Sequence, residues 1–218
     1  MSRRKVLSEA EKQSLINLPK DFFTLSKYYL LSEVDISRIK QKRGVHNKLG
    51  FAILLCCMRY PGTTINFETN IPDELIEFIA QQLNIKNHSG WRKYFNRDST
   101  RWEQISELKL ALGLRSFTAK EFDKYLRKLV VLAKQTDKGE VIAEALIKYL
   151  RQDNILIPDI SVIERIASEA ITIGSKEFYI ELTKGLSEQK LSELNELLKI
   201  KPSTKISYLA WLQQPANI

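Results

Sequence analysis

Five basic side chains, Arg38, Lys40, Lys42, Arg43 and Lys48, fall within eleven positions, and no Asp or Glu occurs between Asp35 and Glu68. Guanidinium and ammonium groups this close together, with no acid to neutralise them, suit the binding of a polyanion, of which nucleic acid is the commonest. His46 and Asn47 stand inside the same run. Their side chains both donate and accept hydrogen bonds, which is what reading a base edge requires. Two further basic clusters follow. Residues 86–101 interleave Arg92, Lys93, Arg97 and Arg101 with Trp91, Tyr94 and Phe95, and residues 119–135 carry Lys120, Lys124, Arg127 and Lys128 on one helical face. Arg3, Arg4 and Lys5 make a short basic arm of the kind that lies in a minor groove, or else a plain charged tail.

Catalytic chemistry finds little support. The carboxylate pairs Glu103–Glu107 and Glu177–Glu181 sit at i, i+4 on Lys-containing helices and read as solvated faces. No glycine-rich phosphate loop, nucleophile elbow or His–Glu metal helix is present. Cys56 and Cys57 are adjacent within an apolar run, and His46 and His88 are far apart, so no zinc-ligand spacing can be written. The expectation is no catalytic residue, no metal ligand and no cofactor.

Helices must position these groups. Pro19, Pro61, Pro72, Pro158, Pro202 and Pro215 punctuate segments of helical period, and alternating strand patterns are missing. Thirteen helices are expected, near 9–17, 21–30, 33–43, 46–60, 73–84, 89–95, 99–113, 119–135, 139–152, 162–173, 176–185, 188–199 and 204–213. Capping boxes are expected at Ser8 with Glu11, Ser32 with Asp35, Thr118 with Glu121 and Ser161 with Glu164. The helix at 46–60 has an inward stripe of Leu49, Ala52, Ile53, Cys56, Cys57 and Tyr60, with Phe51, Leu54 and Leu55 on its other faces. It is expected to be surrounded by other helices. Gly50 in its interior costs about 1 kcal/mol relative to Ala, which close approach of a neighbour would explain. Gly44 at the junction suggests a helix-turn-helix-like element. Such an element would give His46, Asn47 and Lys48 to base edges and Arg38, Lys40, Lys42 and Arg43 to phosphates; the plainer reading is a helical hairpin with a solvated basic edge. Trp91, Tyr94 and Phe95 could stack on bases, but rings at helical spacing more often belong to the core, and Trp102 and Trp211 are core candidates on the same ground.

At 218 residues, 44% hydrophobic and 28% charged, the chain suits a soluble all-α protein of two consecutive helical bundles, 1–115 and 116–218. The net charge of +8 is uneven: residues 36–67 carry six basic and no acidic side chains, whereas 139–218 carry nine basic and eleven acidic. The longest apolar run, Leu49 to Met58, is far short of the ~20 residues a membrane span needs, and no secretory leader is visible. Two buried free thiols and the absence of a leader suit a reducing cytoplasm.

The run Val34 to Gly62, VDISRIKQKRGVHNKLGFAILLCCMRYPG, resembles the amino-terminal region of Tn-three family transposases. The matching positions are Asn47, Lys48, Leu49, Gly50, Phe51 and Ala52, then Arg59, Tyr60, Pro61 and Gly62. Four further segments are similar in the same order: SRRKVLSEAEK at the start, Arg101 to Phe117, Ile155 to Ile166, and Leu209 to Pro215, with Gln213 where Arg is frequent. The resemblance implies a helical fragment of a longer protein that binds the terminal inverted repeats of a transposon as double-stranded DNA. It implies a catalytic Asp-Asp-Glu domain with two divalent metals far downstream, bacterial cytoplasmic and nucleoid-associated location, and self-association of the longer protein. The alternative, from another class, is a helical assembly module whose basic face meets an acidic partner protein.

Overall fold

The computed structural model describes residues 5–202 and 204–213. Two compact units divide the chain, Met1–Ser175 and Lys176–Ile218. The first holds α1 (Glu9–Leu15), α2 (Phe22–Tyr28), α3 (Glu33–Lys40), α4 (Val45–Arg59), α5 (Asp73–Gln82), a 3-10 helix (Trp91–Asn96), α6 (Asp98–Leu112), α7 (Ala119–Ala133), α8 (Gly139–Gln152) and α9 (Ile160–Thr183), which runs on into the second unit. The second unit continues with α10 (Glu188–Leu198) and α11 (Tyr208–Leu212). The fold is all-α, and among the described residues only two isolated bridges, Arg115 with Ile155 and Ile200 with Ser207, are strand-like.

Local sequence explains most helix starts. Ser8 and Ser32 each close a capping box, with Glu11 and Asp35 reaching back to the cap N–H. Thr118 bonds the Glu121 side chain but caps no backbone N–H. The box expected at Ser161 does not form: Asp159 accepts from the Ser161 N–H at 2.8 Å, and Glu164 instead pairs with Lys12 of α1 at 2.9 Å. The two helices expected at 162–173 and 176–185 are one, α9. Gly174, which falls in the gap between those two segments, is helical, and α9 lies so close to α7 there that a Cβ would come within 2.8 Å of Ala133 Cβ.

Two apolar clusters form the core of the first unit. One gathers α2 to α6 and the 3-10 helix around α4, in which every residue from Leu49 to Met58 is buried. Burial pushes the Cys56 thiol up to about 12 and that of Cys57 well above its ordinary value, so both stay protonated. The other cluster joins α7, α8 and α9. The amino-terminal segment packs with this second cluster: Leu7 is buried in it, and the Val6 carbonyl lies where a Cβ on Gly139 would fall. The position expected for a bundle boundary, 115/116, lies inside the first unit, where backbone bonds tie the clusters. Arg115 N–H donates to the Asn154 carbonyl, Leu156 N–H to that of Arg115, and Ile157 N–H to that of Gly62.

The Arg-aromatic-Pro-Gly run is a structural junction. Arg59 donates to Asp35 at 2.7 Å and to the Leu30 carbonyl at 3.1 Å. Tyr60 stacks on Tyr28 at 4.1 Å, and its carbonyl accepts from the Tyr29 hydroxyl at 2.7 Å. Pro61, after a cis peptide bond, offers its carbonyl to Arg151 Nε at 2.9 Å.

Asp35 is one of two buried polar residues in the described core. Burial alone would push its carboxyl up; hydrogen bonds from Arg59 and Ser32 outweigh that and hold it below its ordinary value. A carboxylate depressed in this way stabilises the fold above its unfolded value, near ~3.9, and loses that contribution as pH falls through the folded value. Arg59→Met removes the strongest opposing partner. The expected result is a loss of about 2 kcal/mol near neutral pH and acid unfolding at higher pH than in the parent, followed by far-UV circular dichroism. An unchanged acid midpoint would show that Asp35 does not depend on Arg59.

Candidate nucleic-acid interface

The turn between α3 and α4 is closed by residues 41–44, with Gly44 at φ +81°, a conformation that L side chains rarely adopt. The Asn47 amide donates one N–H to the Arg43 carbonyl at 2.9 Å, which fixes the turn and leaves its oxygen and second N–H without a partner among the described residues. Because α4 is buried from Leu49 to Met58, it meets solvent at its two ends, at Arg59 and at its first turn, where Val45 is exposed and His46, Asn47 and Lys48 are half-buried. The edge is therefore presented end-on.

The basic residues divide by what already holds them. Lys42 is consumed internally, 2.6 Å from Glu107 of α6 and over the buried Phe51 ring at 4.3 Å. Arg101 pairs with Asp98 at 2.9 Å and covers Phe95. Lys124 pairs with Asp153 at 2.6 Å, an attraction that raises the lysine and lowers the carboxyl from their ordinary values. Lys128 sits 3.6 Å over the Tyr149 ring, and Arg127 donates to the Asp123 carbonyl of its own helix. Arg38, Lys40, Arg43, Lys48, Lys93, Arg97 and Lys120 have no side-chain hydrogen bond or ion pair among the described residues. Lys40, Arg43, Lys93, Arg97 and Lys120 are exposed. Arg3 and Arg4 lie outside the described residues.

Packing brings the first two basic sets together. Gly50 of α4 lies against Tyr94 of the 3-10 helix, Tyr94 donates its buried hydroxyl to Gln104 of α6 at 2.8 Å, and Lys42 ties the turn to α6. The α7 set belongs to the other cluster, and the segment 113–118 joins it to α6. Trp91, Tyr94 and Phe95 are buried, so the core reading of those rings holds. Trp102 and Trp211, expected in the core, are instead 62% and 44% exposed. Period alone misplaces them, because Gln104, Ile105 and Leu108 make the inward face of α6. Arg151, stacked on Tyr60 and exposed, is invisible in the sequence because its partners are ninety positions away.

A family model described as a domain of unknown function (DUF4158) matches residues 6–170. The chain belongs to this family. It is 40% identical over 214 residues to the transposase for transposon Tn3926 of Escherichia coli, 39% to that for transposon Tn501 of Pseudomonas aeruginosa, and 38% to that for transposon Tn21 of Escherichia coli. Each match covers 98% of this chain and 22% of the relative, so the DUF4158 chain spans about a fifth of the relatives' length. These matches bear out the likeness to the amino-terminal region of Tn-three family transposases. No helix among the described residues is long and apolar enough to cross a membrane.

Proposed function

We propose that this chain binds double-stranded DNA at the terminal inverted repeats of a transposon and positions it for a catalytic domain elsewhere in a longer transposase. The observation that carries the reading is the edge of α3 and α4, within a stretch of sequence without acid from residue 36 to 67, where Arg38, Lys40, Arg43 and Lys48 have no side-chain hydrogen bond or ion pair among the described residues. Cations left unpaired in this way gain more from phosphates than they lose. Lys93 and Arg97 extend the edge along the 3-10 helix, and Lys120 would extend the footprint from α7. His46, Lys48 and the oxygen and second N–H of Asn47 are placed to meet base edges from the end of α4. The transposase relatives support a role in transposition. Binding itself needs no cofactor; divalent metal belongs to strand cleavage in the longer protein, which would act in the bacterial cytoplasm and could self-associate.

Fluorescence anisotropy on a labelled terminal-repeat duplex and on a scrambled duplex, across a salt series, tests this. Tighter binding to the repeat is expected, with affinity falling linearly in log salt. Equal binding to both duplexes would remove sequence recognition from this region. Binding to neither would leave the basic face to an acidic partner protein.

A further inference from the structure

The basic 3-10 helix buries its own aromatic rings, yet an exposed ring stands beside it, contributed by a distant loop. Phe67 is 64% exposed. Its ring is nevertheless held: Phe95 meets it edge-on at 6.2 Å, and the Arg92 guanidinium lies over it at 5.9 Å while donating to the Phe67 carbonyl at 3.1 Å. Reciprocal bonds between Asn66 and Thr69, each about 2.9 Å, close the loop around it. Arg92 also covers Trp91, so the arginine is fixed on two rings, and its exposed neighbours Lys93 and Arg97 have no partner among the described residues. A large ring fixed in water gains nothing for the core. Beside the Arg92 guanidinium, it suits the apolar part of a polyanion, a deoxyribose or, at an opened base step, a base face. Exposed Glu68 beside it disfavours a phosphate over the ring itself.

Resting on the DNA-binding reading above, we infer that Phe67 is a direct apolar contact to the bound DNA, with Arg92 beside it on a phosphate. The test compares the full chain with Phe67→Leu, which keeps bulk against Phe95, with Phe67→Trp and with Arg92→Ala, on the terminal-repeat duplex across a salt series. Phe67→Leu is expected to weaken binding between about fivefold and a hundredfold with an unchanged salt slope and melting temperature. Phe67→Trp should restore binding, and Arg92→Ala should lower the slope by about 0.9, the share of a single phosphate. A 2-aminopurine placed singly along the duplex should lose its protein-induced fluorescence change at one position in Phe67→Leu. Binding by Phe67→Leu within twofold of the parent would overturn the inference. So would a slope reduced as in Arg92→Ala, since Phe67 would then only hold the arginine. Failure of the parent chain to bind any duplex would instead overturn the DNA reading itself.

Discussion

Gly50→Ala is expected to lower the melting temperature of the chain by roughly 5–12 °C, corresponding to about 2–3 kcal/mol of overpacking. The added Cβ would lie 2.1 Å from Tyr94 Cγ and 2.6 Å from Tyr94 Cβ, and neither atom is the flexible end of a side chain. Tyr94 cannot swing away cheaply, because its ring is buried against Phe95 and its hydroxyl is bonded to Gln104 in the core. The preference of helices for Ala over Gly, about 1 kcal/mol, acts the other way and is outweighed. Gly90→Ala is the control, since a Cβ there meets only the Lys93 side chain at 3.8 Å. A thermal double-mutant cycle decides the cause: in a Tyr94→Gly background, where the ring and the Cβ that carries it are both gone, Gly50→Ala should cost much less or stabilise. Equal costs in both backgrounds would mean that the ring is not the obstacle. Because Tyr94 and Gly50 join the α3–α4 edge to the 3-10 helix, a strained Gly50→Ala chain should also hold its two basic sets less firmly together.

Much of this is legible in the sequence, and the reasons are specific. The all-α class follows from proline placement and helical period, and the close approach at Gly50 follows from a glycine in an otherwise strong helix. The basic edge is visible as well, because absence of acid over 36–67 is a property of composition. What sequence does not reveal is the state of each charge. Lys42 and Lys40 look alike in the run, yet one is paired with Glu107, sixty-five positions away, and the other has no partner among the described residues. Gly174 and Gly50 obey one rule, a neighbour too close for a Cβ, but Gly174 falls in the gap between two expected helices and only Gly50 lies inside a strong helical pattern. Leu7 joining the second cluster, and Phe67 standing beside the 3-10 helix, are likewise long-range facts that no local pattern encodes.

That difference between free and consumed charge predicts the largest effect on binding. Replacing Arg38, Lys40, Arg43 and Lys48 together with Ala is expected to reduce affinity for the terminal-repeat duplex at least a hundredfold at about 0.1 M salt. The slope of log affinity against log salt should fall by about 0.9 for each phosphate left without its cation, roughly three to four in all. Stability should change little, since none of the four side chains has a hydrogen-bond or ion-pair partner among the described residues. Lys42→Ala and Arg101→Ala should behave in the opposite way. Each removes a partly buried ion pair and a cation–ring interaction, so the melting temperature falls while the salt slope moves by less than a single phosphate's share. Anisotropy and thermal melts on the same preparations separate the two groups. If Lys42→Ala lowered the slope as much as Arg43→Ala, Lys42 would have to exchange Glu107 for a phosphate on binding. The edge would then be rearranged by DNA, and charge pairing in the free chain would no longer mark which residues touch the duplex.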